Sequence, residues 1–246
     1  MKHFSESEVK YLAGLLDADG CLSFHFNKGK LYLEMSLSAS ESIDHTGYID
    51  TLADRIGNLS IREYPDKPTW SPSHQWRVTS RRDLNLIIPR VIGHMVIKGA
   101  HWRRLFDKYT ELKGLDISED ELKKFSIESR KETGPIKPKI RPTWAWVAGY
   151  LDGDGCYIHK KYNMKHTTRI DAVSHIDDRI GIDLLVTAFG GTLFTEGNYL
   201  RWRRAAGKRS TSFAVPFLKK VHKHSRLKKH KIEQMLSFHN SAATTK

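Results

Sequence analysis

The chain has 246 residues, enough for one large domain or two of about 100–120 residues. Its 39% hydrophobic and 10% aromatic content excludes a disordered chain, and no run approaches the roughly 18 apolar residues that span a membrane. The net charge of +13 and isoelectric point of about 9.7, on a chain with a full apolar complement, favour nucleic acid over a membrane surface as partner.

The charge is uneven: residues 143–246 hold 18 Lys or Arg against 8 Asp or Glu, and residues 1–142 hold 23 against 20. The start, Met1 to Glu8, lacks the apolar segment of a secretory signal, so an intracellular location is expected. Two cysteines, Cys21 and Cys156, lie far apart with no CxxC spacing. They read as reduced thiols, small packable residues that begin strands, not as a zinc site.

In chain order, residues 5–17 predict a helix, with Ser5 and Glu8 in capping-box spacing and Val9, Leu12, Ala13 and Leu16 on one face. Residues 21–27 and 31–39 predict a β-hairpin, in which Leu31, Leu33, Met35 and Leu37 alternate with Tyr32, Glu34, Ser36 and Ser38. A helix over 43–56, strands at 58–64 and 74–80, and helices at 82–88 and 95–112 complete the first unit. Residues 118–130 read as a surface helix, and the Pro- and Lys-rich stretch 133–142 as an extended linker whose basic residues, Lys139 among them, can lie along DNA. The same order then recurs: a helix at 143–152, strands at 156–162 and 167–174, a helix at 177–189, a hairpin at 192–205, and helices at 210–223 and 226–238. Strands grouped between helices argue an α+β fold with antiparallel sheets, built from two αββαββα units over 1–113 and 143–246 with a linker at 114–142.

The recurrence is also in the letters. Tyr11 to Cys21 reads YLAGLLDADGC and Trp146 to Cys156 reads WVAGYLDGDGC; seven of the eleven paired positions match, 135 residues apart. Each segment ends a helix with two carboxylates. A helix C-terminus carries partial negative charge, so carboxylates there need a compensating cation. The plainer reading is an Asp-Gly turn, with Gly20 and Gly155 in the left-handed conformation. Gly14 and Gly149 lie inside the helices, where glycine costs about 1 kcal/mol relative to alanine. Small residues there let two backbones approach, so the motif helices are expected to pack together with Gly14 facing Gly149. The acidic ends then lie side by side, and their hard oxygen donors suit Mg²⁺.

These segments resemble the motifs of the LAGLIDADG homing endonucleases, of the single-chain, two-repeat kind. Leu12 to Gly20 departs from the nine-letter motif only at its fifth position, Leu16, and Val147 to Gly155 is looser but keeps both Asp residues. The resemblance implies two pseudo-twofold-related units packed through the motif helices, each with a sheet forming half of a DNA-binding saddle. It implies metal ligation by Asp19 and Asp154 with the carbonyls of Ala18 and Gly153, Mg²⁺ as cofactor and Mn²⁺ as a substitute. Asp17 and Asp152 rank as helix-end structural residues. Lys98 and Lys228 are the basic residues expected beside the metal sites, and Ser38 and Asp171 the polar residues expected to orient water.

The resemblance further implies that strand faces read base edges in successive major grooves. The candidates are Ser23, His25, Asn27, Tyr32, Glu34, Ser36, Gln75, Arg77 and Thr79 in the first unit. In the second they are His159, Lys161, Thr167, Arg169, Arg201 and Arg203; Lys208 and the basic run 222–231 are phosphate contacts. The expected activity is hydrolysis of both strands of a long asymmetric DNA target by a monomer located with host DNA, leaving short 3′ overhangs. The alternatives are an intron RNA maturase and a non-cleaving DNA-binding protein on the same scaffold.

Overall fold

The computed structural model describes residues 4–27, 30–44, 47–67, 69–112, 118–132, 142–162, 165–206 and 211–244. The first unit runs α1 (Glu6–Asp19), β1 (Cys21–Asn27), β2 (Lys30–Ser40), α2 (Tyr48–Ala53), β3 (Asn58–Arg62), β4 (Ser73–Val78), α3 (Arg81–Ile92) and α4 (Gly99–Glu111). A connecting helix α5 (Glu119–Glu132) follows. The second unit runs α6 (Trp144–Asp154), β5 (Gly155–Tyr162), β6 (Lys165–His175), α7 (Ile180–Phe189), β7 (Thr192–Glu196), β8 (Tyr199–Ala206), α8 (Thr211–His222) and α9 (Lys229–Thr244). Each unit is thus αββαββ closed by two helices, and its four strands form one antiparallel sheet, in the order β1-β2-β4-β3 or β5-β6-β8-β7.

Local chemistry accounts for most element boundaries. Ser5 caps α1, with its hydroxyl accepting from the Glu8 N–H and the Glu8 carboxylate accepting from the Ser5 N–H. The region expected as one helix over 43–56 is helical only from Tyr48. Asp44 accepts from the N–H groups of Tyr48 and Ile49 at 2.8 and 2.7 Å and fixes the start. The helix expected over 95–112 begins at Gly99, because residues 95–98 are held in a turn by the site described below. The helix read over 118–130 is present as α5, and it is more than a surface element: Leu122 and Ser129 are buried, and Ser129 hydrogen-bonds the buried His101 of α4 at 2.9 Å. Most of the proposed linker, residues 133–141 with Lys139, lies outside the described residues.

The core is repeated as well. Leu33, Met35 and Leu37 point from β2 toward the helices, as the alternation required. A fully buried tryptophan on the third-paired strand of each sheet donates to a carbonyl near the end of the preceding helix: Trp76 to Ile56 and Trp202 to Gly190, both at 2.7 Å. The two cores meet through α1 and α6, whose residues Tyr11–Asp17 and Ala145–Asp152 are all buried. A helix buried on every side belongs to an interior, not a surface.

The approach of α1 and α6 explains the two interior glycines. A Cβ on Gly14 would strike the backbone carbonyl of Trp146, and one on Gly149 would strike that of Tyr11. Gly14 therefore does not face Gly149. Each glycine receives the residue one turn earlier on the opposite helix, an exchange that preserves the pseudo-twofold relation. Gly20 and Gly155 are extended, with φ of −71° and −87°, not left-handed. They are glycine because a side chain would press on Leu16 and Leu151, respectively.

Candidate active site

The two motif helices end in matching arrangements. Asp17, buried, accepts from the N–H groups of Val96, Ile97 and Lys98 at 2.6, 3.2 and 2.8 Å, and from Trp146 Nε1 at 2.8 Å. Asp152, also buried, accepts from the N–H groups of Arg226 and Leu227 at 2.8 and 3.0 Å, from Ser225 Oγ at 2.8 Å, and from the Tyr11 hydroxyl at 2.8 Å. Each carboxylate does two jobs. It fixes the turn before its own unit's last helix, and it accepts from the residue just before the motif of the other unit. Burial raises both carboxyl pKa values, and these hydrogen bonds oppose the rise.

The turns so fixed carry the lysines. Lys98 Nζ donates to the carbonyls of Ala18 at 2.7 Å, Gly20 at 3.0 Å and Leu16 at 3.4 Å. Lys228 Nζ donates to those of Gly153 at 2.7 Å, Gly155 at 2.6 Å and Leu151 at 3.5 Å. These are orphan carbonyls at helix ends, so each ammonium caps its motif helix and neutralises the negative pole. Burial lowers the pKa of both lysines, and the surrounding aspartates counter it.

Asp19 and Asp154 stand at the same two helix ends. Burial raises the Asp19 carboxyl, while Lys228 and Lys98 pull it down. Asp154 is pushed to about 6, first by burial and then by the Asp19 charge; the neighbouring Tyr150, Lys98 and Lys228 act the other way. The units interleave here: a side chain at Gly153 would collide with Ala18 and press on Asp19 Oδ2. An open cleft of about 300 Å³ beside Asp154 is bounded by Ala18, Lys98, Tyr150, His175 and Tyr199.

The donor set around these ends is oxygen only: two carboxylates and the carbonyls of Ala18 and Gly153, each of which has a second lone pair beyond the one its lysine takes. Among the described residues no group of three or more His, Cys, Asp or Glu forms a metal cage. Few protein oxygens, with room for water and phosphate, fit Mg²⁺ and do not fit a closed zinc site.

Each sheet has a face turned away from the helices. Strand register brings Cys21, Ser36, Arg77 and Asn58 into one row of the first sheet, with Ser23–Glu34 and His25–Tyr32 on one side and Ser38–Gln75–Ser60 on the other. The corresponding row of the second sheet is Cys156, Asp171, Arg203 and Thr192.

No protein-family model and no curated protein sequence matches the chain. Solved structures do. The LAGLIDADG meganuclease I-AabMI bound to uncleaved DNA superposes with a TM-score of 0.70 at 15% identity, covering 96% of this chain and 92% of that one. The LAGLIDADG homing endonuclease I-GzeII in complex with its DNA target gives 0.68 at 16%, covering 96% and 91%. I-SmaMI bound to an uncleaved DNA target in the presence of calcium ions gives 0.62 at 18%, covering 92% and 88%. The chain has the LAGLIDADG homing endonuclease fold.

Within that LAGLIDADG fold the expected residues fall into three groups. Asp19, Asp154, Ala18, Gly153, Lys98 and Lys228 converge at the paired helix ends. Ser23, His25, Tyr32, Glu34, Ser36, Gln75, Arg77, Arg169, Arg201 and Arg203 lie on the outward sheet faces; Thr79 lies just past β4. The side chains of Asn27, Lys161 and Thr167, and all of Lys208, lie outside the described residues.

Three expectations are corrected. His159 is on the helix side of β5, in line with buried Tyr157, stacked on Phe238 of α9 at 3.9 Å and hydrogen-bonded to Thr168. Asp171 is not poised to orient water. It is fully buried among Arg169, Arg201 and Arg203 at 3.3, 3.3 and 3.0 Å. Its counterpart in register is Ser36, opposite Cys21, and not Ser38. Cys21 and Cys156 are free and exposed on the outward faces, so packing does not explain them. The sequence reading also missed Trp146, Tyr11 and Ser225 as donors to the clamping carboxylates. The equivalence of Tyr11 and Trp146 at the head of the motif was the available signal.

Proposed function

We propose that the chain is a site-specific endonuclease that hydrolyses both strands of a long, asymmetric DNA target with Mg²⁺. The observation that carries this reading is the pair of oxygen-only acidic centres, each beside a caged lysine, at adjoining helix ends between two polar sheet faces. Bound there by Asp19, Asp154 and the carbonyls of Ala18 and Gly153, Mg²⁺ would supply charge stabilisation to the phosphate and lower the pKa of a coordinated water.

The protein groups do the rest. The sheets hold the duplex so that one phosphate of each strand meets one centre. Lys98 and Lys228 have their ammonium protons committed to carbonyls, so they act as fixed positive charges near the phosphates, not as proton carriers. Asp17 and Asp152 keep those charges in place. A module that only binds nucleic acid has no use for carboxylates aimed at phosphates, which disfavours the maturase and non-cleaving readings. The same reading has the chain act as a monomer in a DNA-containing compartment and leave short 3′ overhangs.

The test is cleavage of a randomised duplex library in Mg²⁺, with the cut ends sequenced. Recovery of one long asymmetric site with staggered ends supports the reading. Selective retention of DNA without cutting, in Mg²⁺ and in Mn²⁺, refutes it.

A further inference from the structure

The centre of the second sheet's outward face is built around one carboxylate. Asp171 is fully buried there, and Arg203 grips it in a fork, donating from Nε to Oδ1 at 3.0 Å and from Nη2 to Oδ2 at 3.1 Å. Arg201 donates from Nη1 to Oδ2 at 3.3 Å, and Arg169 Nε stands 3.3 Å from the same oxygen. The two β8 arginines are left in different states. Arg201 also donates from Nε and Nη2 to Glu196 at 3.0 and 2.7 Å, so carboxylates engage all three of its nitrogens. Arg203 is 26% exposed, and among the described residues its Nη1 has no hydrogen-bond partner. The Phe194 ring covers one side of its guanidinium, 4.9 Å away. The first sheet lacks this apparatus: by register Ser36 stands in place of Asp171, Ser60 in place of Phe194 and Gln75 in place of Arg201.

A guanidinium carries its N–H donors in a rigid planar fork. With the Nε/Nη2 edge on Asp171, the edge left to Arg203 is Nη1/Nη2, a pair of donors side by side. In the major groove guanine alone presents two acceptors side by side, O6 and N7. Holding the plane beforehand, by the fork on one edge and Phe194 on one face, spares the ordering that a loose side chain undergoes on binding. We propose that Arg203 reads one guanine in the half-site under the second sheet, that Asp171 and Phe194 are its positioning residues, and that Arg201 is a brace that reads no base. The inference rests on the reading of the chain as a site-specific DNA enzyme.

Retention of a randomised duplex DNA library by the full chain, without divalent metal and with the retained sequences read, tests it apart from cleavage. The wild type is expected to retain a site in which a guanine of one half is favoured by about 10–100-fold. Arg203→Ala should erase that preference and no other. Asp171→Asn and Phe194→Ala should weaken the same preference selectively, whereas Phe194→Tyr, which keeps the ring, should retain it. Arg201→Ala should leave every base preference in place. An Arg203→Ala profile equal to that of the wild type, a loss at a base other than guanine, or a separate preference erased by Arg201→Ala would each overturn the proposal and leave the reading of the acidic ends standing. An undiminished guanine preference in both Asp171→Asn and Phe194→Ala would overturn the positioning roles. If the wild type retains no sequence above the rest, site-specific recognition itself fails and the proposal falls with it.

Discussion

The two halves of the molecule are alike along the helical spine and unlike across the sheets. At the spine the correspondence is close: Asp17 and Asp152 clamp equivalent turns, and Lys98 and Lys228 cap equivalent carbonyls. On the outward faces it thins to Cys21 with Cys156 and Arg77 with Arg203. The centre of the first sheet presents Ser36 opposite Arg77, which leans on Gln75 at 2.8 Å and lies 3.8 Å from Glu34. The centre of the second presents Asp171 with three arginines around it. On the proposed function the difference separates two demands. Chemistry on two equivalent phosphates requires two equivalent centres, whereas reading an asymmetric sequence requires two different faces.

The strongest way to break the comparison is at the acidic ends. Asp19→Asn and Asp154→Asn should each lower cutting of at least one strand by about 100-fold or more, while DNA binding stays within a few-fold. Nicked-product analysis alongside a gel-shift assay checks this, and full activity in both variants would remove the metal-site assignment. Next in size is the helix contact. Gly149→Leu places a side chain against the Tyr11 backbone and should destabilise the fold by about 3 kcal/mol, read as a lower urea midpoint. Gly14→Leu should do the same, because Trp146 receives it in the same way.

The sheet contrast can be sharpened by paired changes. Arg203→Ala and Arg77→Ala should each cost roughly 1–3 kcal/mol of discrimination, at different positions of the target. Asp171→Ala frees three arginines from their buried counter-charge. It should raise nonspecific affinity and blunt discrimination, whereas Ser36→Ala at the equivalent place should change little. Binding to a library of single-base target variants separates these outcomes.

The smallest effect is a pH dependence. Asp154 has a folded pKa of about 6, above its ordinary 3.8. Between those values the folded state binds more protons than the unfolded state, so this group's contribution falls as pH rises from about 4 to 6 and is constant above. Asp154→Asn should therefore raise the thermal midpoint at pH 7.5 in metal-free buffer and have little effect on it at pH 4. Equal shifts at the two pH values would show that the carboxylate is not strained by its surroundings.

The elements legible in the sequence were those with local physical causes. The capping box at Ser5 and the alternation in β2 each have a local reason, and each held in the structure; the glycines inside two helices announced a close helix contact, though not the pairing of Gly14 with Gly149. The repeated motif pointed to Asp19 and Asp154 and the family resemblance to Lys98 and Lys228, and the structure brings these four side chains to the two motif-helix ends. What was not legible depends on contacts between strands and between units. In β5 the neighbours Tyr157 and Ile158 are both apolar, so alternation could not decide which face is buried, and His159 was assigned to the wrong one. Asp171 looked like a single polar residue because the arginines that bury it come from β8 and from its own strand in a register the sequence does not print. Tyr150 read as a looser motif letter, since its wedge against Gly181 appears only once α7 is folded onto α6.

The measurement that bears most directly on the account is cleavage of the randomised duplex library by the wild type and by the Asp19→Asn/Asp154→Asn double variant, in Mg²⁺, with the ends sequenced. The account predicts staggered cuts within one long asymmetric site for the wild type and none for the double variant, which still retains the same sequences. Equal cutting by both proteins, or an uncut library with the wild type, would contradict it.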